Sequence, residues 1–393
     1  MAKNFNITLQ TNILFGEGRI REIGEIAAAY GKKAMLVTCR WPEVQKNSFH
    51  EIIKIIECAG VEVILYDKAT PNPTVDSIEE AADIARQEQV SIVIGLGGGS
   101  AMDTAKGVSL CYAHEGGIWQ YTYVSDIQLP IYADKLLPVI AVTTTSGTGS
   151  QVTPYCVLQD PKRKIKTCVA ANNAMIPRVA IVDPELMVTM PPHITAATGF
   201  DVFAHAFEAY TYENSNPFIE VLALKTIALA VQNLKSACSD GNNLEIRGNM
   251  AFADTMAGLC ISMNNTTMPH DIGQAIVGKS PNIPHGISVA MVYPEYIAYA
   301  LSGCIQKFAK IARIFNNGLC EESDQIAAAE LKEQVISWEK AIGVYTSGNA
   351  LGFSEEVKTE VIEETVRNCP FITDICKLTR GEIAELIERI WTQ

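Results

Sequence analysis

Four residues in the second half of the chain, Asp201, His205, His270 and His285, have the types and contexts to hold a metal. Asp201 and His205 stand four apart in GFDVFAHAFEAY (199–210), a stretch whose pattern predicts a helix. That spacing puts both side chains on one face, one turn apart. His270 follows Pro269 in TMPHD (267–271), and His285 follows Pro284 in NIPHG (282–286). One carboxylate and three imidazoles make a nitrogen/oxygen donor set suited to zinc or ferrous iron. A lone histidine on an apolar helix face is more commonly a satisfied core residue, so the set has weight only as a set.

Two loops in the first half could receive a phosphorylated cofactor. IGLGGGSAMDTAK (94–106) follows an apolar run and opens a helical pattern. Gly97, Gly98 and Gly99 carry no Cβ, so backbone N–H groups can approach a phosphate closely, and Ser100 can cap the helix and donate a further hydrogen bond. The string is neither the dinucleotide GxGxxG nor a Walker loop, and a glycine run alone is often only a tight turn. TTTSGTGSQVTP (143–154) is uncharged and rich in hydroxyls, with Thr144, Thr145 and Thr148 able to meet phosphate, ribose or amide.

The elements that must position these residues follow from periodicity. Strands are predicted at 32–38, 61–66, 90–96, 137–144 and 179–183, with helices near 46–59 and at Val75–Gln87 between them. VSIVIGL (90–96) is almost continuously apolar, as in a parallel sheet covered on both faces. Strand–helix alternation predicts a doubly wound α/β layer. The segment 151–170 has the alternation of a hairpin. After Pro191 and Pro192 the pattern turns helical: 195–212, 217–237, 244–264, 286–315, 324–341, 355–368 and 380–391, with no strand among them. The expected organisation is a Rossmann-like α/β domain over 1–187 and an all-α domain over 188–393.

Composition narrows the function class. The 393 residues are 48% hydrophobic and 19% charged, with a net charge of −13. That charge argues against nucleic acid or an anionic membrane surface as partner. Eleven cysteines without a CxxC pair read as small buried hydrophobes of a reducing compartment. MAKNFNITLQ has no signal-peptide core, and no stretch reaches the roughly 18 uninterrupted apolar residues of a membrane span. A cytoplasmic protein is expected.

GGGSAMDTAK (97–106), TTTSGTGSQVTP (143–154), VAIVDPEL (179–186), TAATGFDVFAHAFEAY (195–210) and IPHG (283–286) together resemble the iron-containing (group III) alcohol dehydrogenase family, and PNPT (71–74) and FGEG (15–18) fit the same pattern. The resemblance spans roughly residues 10 to 300. It implies a dehydroquinate synthase-like arrangement: a dinucleotide-binding α/β domain, a helical metal domain and a catalytic cleft between them. It implies Asp201, His205, His270 and His285 as ligands of Fe2+ or Zn2+, and Asn72, Gly97, Gly98, Gly99, Ser100, Asp103, Thr144, Thr145 and Thr148 as cofactor contacts.

Two positions depart from the family's pattern. Many members place the third ligand fourteen residues before the PHG histidine, with another histidine four residues after it. Here His270 stands fifteen before His285, which needs a one-residue insertion, and the later position is Gln274. The other register would put Thr266 at the ligand position, a poor ligand. Gln274 is then a weak candidate for a catalytic contact; no catalytic residue is expected beyond the metal shell. Gln151 stands where Glu is common.

The resemblance implies hydride transfer between NAD(P)(H) and a small alcohol or aldehyde. In the resembling family an acidic residue commonly ends the strand that matches AMLVT (34–38), where it would favour NAD. This chain has Cys39 and Arg40 there, which favours NADP(H) over NAD(H). Thr153, Tyr155, Met263 and Phe200, expected to line the cleft, are uncharged and point to small or medium uncharged alcohols and aldehydes. The competing readings are a polyol dehydrogenase, a sugar-phosphate lyase like dehydroquinate synthase, and a non-catalytic oligomeric scaffold. Within 240–300 only Arg247 and Lys279 could meet a phosphorylated substrate, which disfavours the lyase. A homo-oligomer is expected, with a strand at 5–9 available for pairing between subunits.

Overall fold

The computed structural model describes residues 4–40, 46–170, 172–368 and 378–393. Ile7–Met190 form one compact unit, and Pro191–Gln393 belong to a second.

The first unit is a six-stranded parallel sheet, in which β1 (Asn12–Phe15), β2 (Lys33–Cys39), β3 (Glu62–Ala69), β4 (Ile92–Gly97), β5 (Val139–Thr143) and β8 (Val179–Val182) run in the order β1-β8-β5-β4-β2-β3. Successive side chains alternate between faces. Ala34, Leu36, Ile92, Ile94, Leu96, Ile140 and Val142 therefore join one core cluster, with Ile23 and Ala27 of α1 (Ile23–Tyr30) and Ile52 and Ile56 of α2 (Lys46–Cys58). Met35, Val37, Val93 and Val139 face the other way. They pack on Ala81 and Ala85 of α3 (Val75–Gln87) and on Ala105 and Val108 of α4 (Gly99–Ala113). Both faces are apolar because both are covered by helices. Thr74 caps α3 by a reciprocal box with Ser77. β6 (Val157–Asp160) and β7 (Ile165–Cys168) pair antiparallel, the hairpin expected within 151–170.

The order reverses between β2 and β4: the chain goes outward from β2 to β3, then returns past β2 to β4 and on to β5. Ligands of open α/β sheets sit at the carboxyl ends of strands flanking such a switch.

The second unit is helical, and no strand occurs among its described residues. Its helices are α5 (Pro192–Thr211), α6 (Pro217–Ser239), α7 (Leu244–Met263), α8 (Met268–Lys279), α9 (His285–Ala290), α10 (Tyr293–Phe315), α11 (Asp324–Ile342), α12 (Glu355–Asn368) and α13 (Arg380–Thr392). α5 packs against α6, α7 and α9, and α8 against α9 and α12. The centre is aromatic: Phe203 lies 5.0 Å from Trp338 and 5.7 Å from Tyr293 between ring centroids. Among the described residues, α6 alone is long and apolar enough to cross a membrane, and it packs on α5 and α7.

Three expectations need correction. α8 falls in a stretch where periodicity gave no helix, because Gly273 and Gly278 and a leading Pro269 dilute its apolar pattern. The expected helix 286–315 is two, α9 and α10, with Pro294 in the first turn of the second. Residues 4–10 form no strand; the first strand is β1, paired with β8. The alternation of Phe5, Ile7 and Leu9 is real, but all three side chains are exposed.

Candidate metal and cofactor sites

The metal candidates come from three helices. Asp201, His205 and Glu208 lie on one face of α5, at spacings of four and three. His270 is in the first turn of α8, and His285 opens α9. The ligand atoms of Asp201, His270 and His285 all fall within 4.8 Å of one another. His270 Nε2 is 3.2 Å from Asp201 Oδ1, and His205 Nε2 is 3.8 Å from the same oxygen. The His205 ring stacks on that of His270 at 4.6 Å. His270, rather than Thr266, is thus the residue that reaches Asp201 from this segment. Gln274 stands one turn further along α8 and is partly exposed.

Electrostatics ties the donors together. Burial alone would raise the Asp201 pKa, but the charge of His205, the hydrogen bond from His270 and the charge of His285 hold the carboxyl well below the usual range. Burial would lower the pKa of His270, but Glu208 and Asp201 on either side raise it to about 10. Glu208 is fully buried, and its Oε1 sits 2.6 Å from His270 Nδ1. Sequence reasoning missed Glu208, although its spacing from His205 placed it on the ligand face.

Backbone contact fixes where His285 sits. A Cβ on Gly286 would come 1.8 Å from the Ala197 carbonyl oxygen, so α9 lies directly against α5 only because this residue is glycine. The donor set, one carboxylate and three imidazoles on buried or half-buried helix faces, fits a divalent transition ion.

Phe200 does not line a pocket. It is fully buried, 5.2 Å from Tyr293 and 5.7 Å from Trp338 between ring centroids. One residue before Asp201 on a helix is a rotation of about 100°, away from the ligand face. Arg247 donates to the Gly241 carbonyl and to Thr195 Oγ1, and Lys279 pairs with Glu364 at 2.5 Å.

The cofactor candidates gather at the carboxyl end of the sheet. Gly97 ends β4 with φ +151°, and Gly98, extended, is the N-cap of α4. Ser100 is therefore not the cap: glycine takes that place and no side chain caps the helix, so the first-turn N–H groups suit an anion. Thr144 N–H donates to the Gly97 carbonyl, joining the two loops. A Cβ on Gly99 would lie 2.6 Å from Thr148 Cγ2, and one on Gly98 would lie 3.2 Å from Thr145 Oγ1. Thr145 Oγ1 is itself buried without a hydrogen-bond partner. A glycine-lined cradle beside an orphaned hydroxyl fits a phosphorylated cofactor. Asn72 adopts φ +54° in the PNPT turn.

Asp103 faces inward. Its Oδ1 accepts from Ser150 Oγ at 2.6 Å and its Oδ2 from Val157 N–H at 3.1 Å. Val37 of β2 lies opposite Gly95 of β4, so Cys39 and exposed Arg40 are at the same sheet end as the cradle.

A parallel α/β sheet with a glycine cradle and a helical unit that gathers histidines and a carboxylate define the fold class. Within that class, the model for iron-containing alcohol dehydrogenases matches residues 10–184 and that for the family's C-terminal region matches 195–391, so the chain belongs to the iron-containing alcohol dehydrogenase family. It is 33% identical over 372 residues to the NAD-dependent methanol dehydrogenase of Bacillus methanolicus, covering 94% of each chain. It is also 33% identical over 377 residues to the 1,3-propanediol dehydrogenase of Klebsiella pneumoniae, covering 95% of this chain and 96% of that one. The crystal structure of the archaeal halo-thermophilic Red Sea brine pool alcohol dehydrogenase ADH/D1 superposes with a TM-score of 0.93 at 30% identity, covering 99% of this chain and 100% of that one.

Proposed function

We propose that this alcohol dehydrogenase is a metal-dependent, NADP(H)-preferring enzyme that interconverts a small uncharged alcohol and its aldehyde. The observation that carries the reading is the convergence of Asp201, His270 and His285 within 4.8 Å, with His205 beside them. These four residues would hold Fe2+ or Zn2+, which supplies Lewis acidity toward an alcohol or carbonyl oxygen. The chain's own residues then have two tasks: to hold the donors on rigid helices, and to anchor the dinucleotide so that its nicotinamide meets the substrate carbon. Gly97, Gly98, Gly99 and Ser100 offer backbone donors to the phosphates, and Asn72, Thr144, Thr145 and Thr148 complete the cradle. Asp103 serves this cradle from behind rather than by contact. No side-chain nucleophile is called for, and Gln274 remains a subsidiary candidate for a substrate contact.

NADP(H) is favoured because β2 ends in Cys39 and an exposed Arg40, where an acidic residue would bind the ribose 2′-hydroxyl of NAD and repel a 2′-phosphate. Uncharged substrates are favoured because Arg247 and Lys279, the cations of 240–300, are engaged by neighbours of their own.

The test is aldehyde-dependent NADPH oxidation by chelator-stripped protein refilled separately with Fe2+ and Zn2+, repeated with NADH and with His285→Ala. Activity restored by metal in the wild type and absent in the variant supports the reading. No turnover with either metal or cofactor across simple alcohols and aldehydes would sink it.

A further inference from the structure

Glu208 is a carboxylate with no exposed surface that the donor set above does not use. Its two oxygens take part in four polar contacts. Oε1 lies 2.6 Å from His270 Nδ1 and 3.1 Å from the Tyr293 hydroxyl oxygen, which is also 3.0 Å from the Ala204 carbonyl oxygen. Oε2 accepts from the Thr267 backbone N–H at 2.6 Å and from Thr267 Oγ1 at 3.2 Å. Thr267 is the N-cap residue of α8, the helix that carries His270.

We propose that Glu208 is a positioning residue for the metal centre: it fixes the tautomer and ring angle of His270 so that Nε2 is the donor atom. This inference rests on the metal reading given above. A carboxylate can only accept, so Nδ1 keeps a proton for Glu208, and it is the proton on Nε2, shared with Asp201 at 3.2 Å, that a metal would displace to take that nitrogen's lone pair. The second oxygen holds the start of α8, so one side chain sets both the rotation of the ring and the position of its backbone. Because Glu208 comes from α5, as Asp201 and His205 do, and touches His270, three of the four donors share a common anchor. Both Glu208 oxygens are taken up by these four contacts.

Glu208→Gln separates positioning from packing. The amide keeps the shape, but once its oxygen accepts from Thr267 N–H, its NH2 group faces His270 Nδ1. That favours the tautomer with the proton on Nε2, which cannot ligate. The expected result is a Zn2+ dissociation constant raised about 10–100-fold and an altered visible absorption band of the Co2+-loaded protein. Far-UV circular dichroism and the melting temperature of the metal-free protein stay near wild type. Zn2+ affinity within twofold of wild type, with an unchanged Co2+ spectrum, would overturn the inference and leave Glu208 as a helix cap. Wild-type protein that binds neither Zn2+ nor Co2+ would instead sink the metal reading itself.

A second measurement does not depend on a variant folding. In Zn2+-loaded wild type with 15N-labelled histidines, the His270 ring is expected to show a protonated Nδ1 and a zinc-bound Nε2. Zinc on Nδ1 would overturn the proposal.

Discussion

Lys106 Nζ donates to Ser150 Oγ at 2.7 Å, and that hydroxyl donates in turn to Asp103 Oδ1 at 2.6 Å. Lys106 also donates to the Tyr155 carbonyl at 2.7 Å, and the Cys156 thiol reaches the Asp103 carbonyl at 3.1 Å. The helix that opens at the glycine cradle is thereby tied to the loop that leaves the TTTSGTGS segment. Lys106→Met removes one member of a buried charge pair and leaves Asp103 uncompensated, so a loss of about 3–5 kcal/mol is expected in urea unfolding. A loss under about 1 kcal/mol would show that the pair is not holding the cradle.

The cradle itself is tested at Gly99. Gly99→Ala sets a methyl group against Thr148 and is expected to raise the NADPH dissociation constant about tenfold, ~1.4 kcal/mol, as read by fluorescence titration. Because the clash is with Thr148 Cγ2 and Oγ1, Thr148→Ala in the same chain should recover part of that loss. No recovery would mean that the glycine matters for backbone conformation or ligand approach instead.

Cofactor choice is tested at Arg40. Arg40→Asp should lower the ratio of kcat/KM for NADPH to that for NADH by about tenfold or more, ~1.4 kcal/mol, because a carboxylate would repel the 2′-phosphate. An unchanged ratio would show that Arg40 faces solvent without touching the cofactor.

Glu339 offers a pH-dependent test of stability. It is fully buried on α11, and neither carboxyl oxygen has a hydrogen-bond partner. Burial pushes its pKa well above 4.5. A carboxyl with a raised folded pKa contributes most below the unfolded pKa, and that contribution falls as pH rises toward the folded value. Glu339→Met should therefore stabilise the protein by about 1–3 kcal/mol near neutrality, and its advantage in Tm should widen between about pH 5 and pH 8. A constant difference across that range would mean that the carboxyl does not stay protonated.

Five of the six sheet strands and most of the helices could be read from the chain because their apolar periods are long and uninterrupted; the four-residue β1 (Asn12–Phe15) is too short to show a period. Val75–Gln87, with Ile78, Ala81, Ala82 and Ala85 on one face, is observed with those limits. α8 was hidden by glycines that serve close packing: a Cβ on Gly273 would come 2.9 Å from Val289 Cγ2. The cluster of Asp201, His270 and His285 combines one i,i+4 pattern with two Pro-His steps, and resemblance joined them. Glu208 and the Lys106–Ser150–Asp103 chain were not legible. Their meaning lies in contacts between residues 44 to 85 positions apart, and no local period records these.

The absent side chain of Gly286 has a consequence for exchange of an ion held there. α5 and α9 meet through main chain, so the backbones that carry Asp201 and His285 are held at a fixed close separation. Parting of the two helices would pull two donors from an ion at once, so its off-rate would report local opening of this contact. Any residue larger than glycine at 286 would raise that off-rate, even where all four donor side chains are intact.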